Sequence, residues 1–119
     1  MEDALQFDFD WLQVRHQVMD TLGLNRLPDL NAVLLLIGVQ ELGKWKSSKT
    51  KKEEKQDLMH IAVCTLMSID GYYQWDGLDT EGWPHYVQVK KFDMKGAEDQ
   101  EIYLKGKVIQ YFNNININS

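Results

Sequence analysis

The sequence predicts a mainly α domain of the α+β type: a compact four-helix domain with a β-hairpin inserted between helices 3 and 4. Four segments place apolar residues at helical spacing next to residues that start or stop helices. A fifth stretch, Tyr72 to Gln88, switches to a period of two. With 44% apolar residues and aromatics spread along 119 residues, the chain has enough for one core. The expectation is a single globular domain over residues 1–119, with about 113–119 as a frayed tail.

The first helix is expected from about Phe9 to Leu22, because Trp11, Val14, Val18 and Leu22 fall on one face with Met19 beside them. Asp8 or Asp10 is placed to cap its start and Gly23 to close it. Asp29 is the natural cap of a second helix running to about Leu42, with Gly43 after it. From Ala32 to Val39 that helix is apolar almost all round, so it belongs at the centre, although Val33, Ile37 and Val39 also suit a strand. Residues 43–55 form a lysine-rich loop running into the third helix. Thr50 and Glu53 have capping-box spacing, which starts that helix at about Lys51. It is apolar on most sides from Leu58 to Met67, and Ser68-Ile69-Asp70-Gly71 ends it.

In the hairpin, Tyr73 and Trp75 alternate with Gln74 and Asp76, and Trp83, His85, Val87 and Val89 with Pro84, Tyr86 and Gln88. Asp79-Thr80-Glu81-Gly82 between them places Asp first and Gly last, as a type I turn prefers. On this alternation Trp75, Trp83 and Val87 pack on the helices, and the other face displays Tyr72, Gln74, Pro84 and Tyr86. The last helix is expected from about Ala97 to Phe112, with acids first and lysines later, as the helix dipole favours.

Composition narrows the function. A formal charge of −5 disfavours a general nucleic-acid binder, which relies on clustered cations that release counterions. The single cysteine, Cys64, has no internal disulfide partner and fits a reducing compartment, and no secretory segment opens the chain. The longest apolar run, Ala32 to Val39, is too short to span a bilayer. The expectation is therefore a cytoplasmic protein with no membrane role.

Three groups of residues bear chemistry. Asp57, His60, Cys64 and Met67 are spaced three or four apart on the third helix, and their carboxylate, imidazole and thiol are zinc-binding groups. The stronger reading is that Cys64 is a small buried hydrophobe and His60 bonds Asp57 at the surface, so no metal or other cofactor is expected. Glu41 would act as an acid or base if it were forced into the core, but a solvent-facing place fits a carboxylate better. The hairpin aromatics with His85 give a binding set of Tyr72, Trp75, Trp83, His85 and Tyr86, suited to contact area at low entropy cost. The leading expectation is a small non-enzymatic interaction protein, an adaptor or regulatory subunit, binding another protein through the hairpin. The alternatives are a metal-dependent hydrolase or other small enzyme, with His60, Cys64 and His85 as ligands and Glu41 as base, and an RNA-associated protein using the lysine-rich loop.

Overall fold

The computed structural model describes residues 2–43 and 51–118. Among them the chain forms four helices, α1 (Glu2–Leu22), α2 (Leu30–Leu42), α3 (Lys51–Ser68) and α4 (Ala97–Asn118), and two strands, β1 (Tyr73–Leu78) and β2 (Pro84–Gln88). The strands pair as an antiparallel hairpin between α3 and α4, so the architecture is the mainly α, α+β one expected. The chain divides into two compact units, Met1–Val33 with Met94–Ser119, and Leu34–Asp93.

The first unit holds α1 and α4, which pack along each other. Trp11, Val14 and Val18 are buried on α1, and Val108 and Phe112 on α4. The Lys105 ammonium lies 5.5 Å from the centre of the Trp11 ring, and the helices come close where Gly106 approaches Phe7. α1 starts about two turns before the expected Phe9, supported by a 2.8 Å hydrogen bond from Gln6 Nε2 to Asp10 Oδ1. α4 continues to Asn118, through the stretch read from the sequence as a tail. Once a helix is nucleated, each further residue adds a backbone hydrogen bond at little extra cost, so poor propensity alone does not stop it. α1 closes with Leu24 N–H donating to Met19 O at 2.9 Å, and Arg15 Nε reaches Pro28 O at 2.7 Å. Asp29 then caps α2 as expected, its Oδ1 accepting from Ala32 N–H at 2.9 Å.

The second unit holds the rest of α2, α3 and the hairpin. Its core joins Leu42, Leu58, Ile61 and Trp83, with Leu35 and Val39 packed against them. Gly38 lets α2 and α3 approach so closely that a Cβ there would collide with the Leu58 carbonyl. The strand ambiguity of α2 resolves as helix over Leu30–Leu42. α3 ends at Ser68 in a Schellman closure: Tyr72 N–H donates to Met67 O and Gly71 N–H to Ser68 O, both at 3.1 Å, with Gly71 at φ +81°. The chain leaves that turn directly into β1. In the hairpin Tyr73 faces Gln88, Gln74 faces Val87, Trp75 faces Tyr86 and Leu78 faces Pro84. Between the last two pairs Asp76 and Gly77 oppose His85 alone, a bulge that bends β1.

The expected distribution of hairpin side chains needs correction. Trp83 is buried as anticipated, but Trp75 is 54% and Val87 47% exposed, while Pro84 is buried and Tyr86 half-buried. Trp83 and Pro84 are consecutive and both inside, which no period-two pattern allows. Trp83 belongs to the turn: β2 starts at Pro84, and only from there does alternation apply. The lysine-rich segment 44–50 lies outside the described residues, as does Thr50 of the expected capping box.

Candidate functional site

Within the second unit, α3 and the hairpin enclose a cleft of about 230 Å³, lined on the α3 side by Asp57, His60, Ile61 and Cys64, and on the hairpin side by Asp79, Trp83, Pro84, His85 and Tyr86. Two groups that the sequence left separate, the polar stripe of α3 and part of the aromatic hairpin set, thus meet in one place. Tyr72 and Trp75 do not line it. Tyr72 stacks edge-on against Phe92, with 5.2 Å between ring centres, and Lys90 Nζ sits 4.3 Å over its ring.

The turn orders the hairpin side. Asp79 N–H donates to Trp83 O at 2.9 Å and Gly82 N–H to Asp79 O at 3.0 Å, which closes the tight turn expected from Asp79 to Gly82. Asp79 Oδ1 accepts from the N–H groups of Glu81 and Trp83, each at 2.9 Å, and Oδ2 lies 3.0 Å from His85 Nε2. These contacts, led by the Trp83 N–H and followed by the His85 ring, hold the Asp79 carboxyl below the usual carboxylate range. An ionised carboxylate only accepts, so Nε2 of His85 carries the proton in this pair. In the neutral ring that leaves Nδ1 as the acceptor. The sequence marked Asp79 as a turn residue only; six positions before a histidine across a tight turn, it also orients that imidazole.

On α3, Cys64 Sγ lies 3.5 Å from His60 Nε2. Cys64 is 1% exposed, and burial pushes its thiol up to about 11, so it stays protonated near neutral pH. A protonated, buried thiol is neither a ready nucleophile nor a preformed ligand. Among the described residues no three of His, Cys, Asp or Glu are placed to hold one metal ion. Tyr86 ties strand to helix through its hydroxyl, 3.0 Å from Thr65 Oγ1. Its own acidity is reduced chiefly by burial; the Thr65 hydrogen bond acts the other way, while the charges of Glu41 and Cys64 add to the reduction.

Glu41 is exposed and does not line the cleft. The buried carboxylate of the second unit is instead Glu54, 6% exposed near the start of α3, whose Oε1 finds no hydrogen-bond partner among the described residues. Glu54 stands in a run of charged residues, Lys51 to Lys55, where helical position and not residue type decides which side chain turns inward.

Outside the cleft the hairpin exposes apolar groups on both faces, Trp75 and Leu78 on the one they share with Tyr86 and Pro84, and Val87 and Val89 on the other. Trp75 at 54%, Leu78 at 62%, Val87 at 47% and Val89 at 55% exposure place four large apolar groups in solvent. Trp75 leans edge-on against Tyr86, 5.7 Å between ring centres, so the exposed indole stands on an anchored neighbour. Leu78 was not singled out from the sequence, its place beside the bulge giving no local signal, and Val89 was read only as the last apolar member of the strand alternation. No helix among the described residues is long and apolar enough to cross a membrane. Comparison with known protein families, with curated proteins and with solved structures finds no match to this chain.

Proposed function

We propose that this is a non-enzymatic interaction protein, an adaptor or regulatory subunit, that binds a partner protein through its hairpin. The observation that carries the reading is the exposure of Trp75 and Leu78 on one face of a hairpin whose turn end is fixed to α3 by Trp83 and the Tyr86–Thr65 contact. Large apolar groups held on a rigid support dominate protein interfaces, tryptophan above all, because they bury much area without losing much freedom. A buried, unpaired cysteine suits a reducing compartment, which makes the cytoplasm the proposed location.

The enzyme reading has less behind it. The cleft is smaller than the roughly 300–1,000 Å³ typical of small-molecule sites. Its thiol is held protonated and Glu41 lies elsewhere. The RNA reading rests on a lysine run in a chain of net charge −5.

Site-specific photocrosslinking tests the proposal. A photoreactive phenylalanine at Leu78, in cells of the natural source, should trap one defined polypeptide, and the same group at exposed Gln40 should not. Loss of that adduct on Trp75→Ala, with helicity unchanged by circular dichroism, supports the reading. An adduct pattern identical at positions 78 and 40, or one indifferent to Trp75→Ala, overturns it.

A further inference from the structure

We propose that α1 pairs antiparallel with α1 of a second copy of this chain, a surface separate from the hairpin and independent of the function proposed for it. α1 is apolar on two opposite faces. One, Phe7, Trp11, Val14 and Val18, turns to α4 within its own unit. The other carries Leu5, Phe9, Leu12 and His16, spaced four, three and four residues apart, and there Leu5 is 71%, Phe9 56% and Leu12 41% exposed. This is the spacing of a coiled-coil seam. Phe9, Leu12, Gln13, His16 and Gln17 line a shallow groove along it.

The residues beside the seam point to a second copy. A two-fold axis between Phe9 and Leu12 stacks Phe9 on the partner's Leu12 and Leu5 on the partner's His16, each pair made twice as an isologous interface requires. On one flank of the seam stand Asp8 and Arg15, and on the other Gln6 and Gln13. Antiparallel pairing sets Asp8 of each copy beside the partner's Arg15 and Gln6 beside the partner's Gln13, so charge meets opposite charge and amide meets amide. Arg15 is already oriented by its bond to Pro28 O. A parallel pair would keep an opposite-charge pairing of Arg15 with the partner's Asp20, but it would stack His16 on His16 and leave Asp8 beside Gln13, whereas the antiparallel pair satisfies Asp8 and separates the two imidazoles. The seam is short, which places the dimer among weak interfaces, with a dissociation constant on the order of 10–100 µM.

Sedimentation equilibrium of the full chain is the test. The expected result is a reversible monomer–dimer equilibrium, abolished by Phe9→Glu with circular dichroism unchanged. Asp8→Lys should raise the dissociation constant about tenfold, since two opposite-charge pairs become like-charge pairs. Mixing Asp8→Lys chains with Arg15→Glu chains should restore dimerisation as a heterodimer. A chain that stays monomeric to about 1 mM, a dimer indifferent to Phe9→Glu, or one indifferent to Asp8→Lys would each overturn the antiparallel α1 pair.

Discussion

The two ends of the hairpin use tryptophan in opposite ways. At the turn end Trp83 is 5% exposed and joins Leu42, Leu58 and Ile61 in the core, whereas along β1 Trp75 is 54% exposed and touches chiefly Tyr86. The residue type is the same and the positions lie eight apart on paired segments. What separates them is backbone geometry. The Asp79 carboxylate gathers the N–H groups of Glu81 and Trp83 and turns the Trp83 side chain inward just before the ladder starts. Trp75 lies within the ladder, ahead of the bulge at Asp76 and Gly77, where its ring leans on Tyr86 instead of entering the core. One tryptophan is therefore structural and the other is available for recognition.

The sharpest way to break this contrast is Trp83→Ala. Removing a buried indole from the core of the second unit should cost about 3–5 kcal/mol, read as a shift in the urea midpoint. A loss below about 1 kcal/mol would mean that the hairpin is held by something other than its turn end. Next in size is Gly38→Ala. The added methyl meets backbone at Leu58, which has no rotamer to give, so α2 and α3 must separate at a cost of about 2–3 kcal/mol. The same substitution at exposed Gln40, two residues on, should be nearly neutral.

These two predictions mark where the sequence was readable. Helix existence, the Asp29 cap, the Gly23 and Gly71 closures and the Asp79–Gly82 turn depend on local chemistry and can be read from a few adjacent residues. The burial of Trp83 could also be read, since a two-stranded hairpin needs an anchor. The rest depends on long-range geometry. Period two assigned Val87 inward and Pro84 outward, because the pattern was counted from Trp83, a turn residue outside the ladder. A bulge leaves no mark beyond one glycine, so the exposure of Leu78 could not be foreseen. The meeting of His60 and Cys64 with His85 and Tyr86 joins residues about twenty positions apart, and neither helical spacing nor strand alternation carries that information.

Cys64 separates a structural thiol from a reactive one. Its folded-state pKa of about 11, against 9.0 for the ordinary thiol, means that the fold favours the protonated form. The corresponding stabilisation is fully present below pH 9, where both states hold the proton. It is lost as the unfolded chain ionises and pH approaches 11. Two pKa units cut the thiolate fraction about a hundredfold, and the greater nucleophilicity of a more basic thiolate returns part of this, so disulfide reagents at pH 8 should react about tenfold more slowly than with a free thiol, before any loss of access. Cys64→Ser should leave any partner adduct at Leu78 intact. A fast-reacting thiol would restore the cleft as a chemical site.

Of the two tryptophans the smaller effect on stability is expected at Trp75, and it is the one that gives the comparison its functional content. Trp75→Ala removes an edge contact with Tyr86 and a partly solvated indole, about 0.5–1 kcal/mol, within reach of careful denaturant titration. If the hairpin surface binds a partner, the same change should cost 2 kcal/mol or more in binding, roughly thirtyfold in affinity, as truncation of a central tryptophan does. Trp75→Phe should recover part of the affinity, since a smaller ring still fills some of the pocket it would occupy. A substitution nearly silent in stability and severe in binding would assign Trp75 to recognition; the reverse order would return it to the core and leave the hairpin a structural cover for α3.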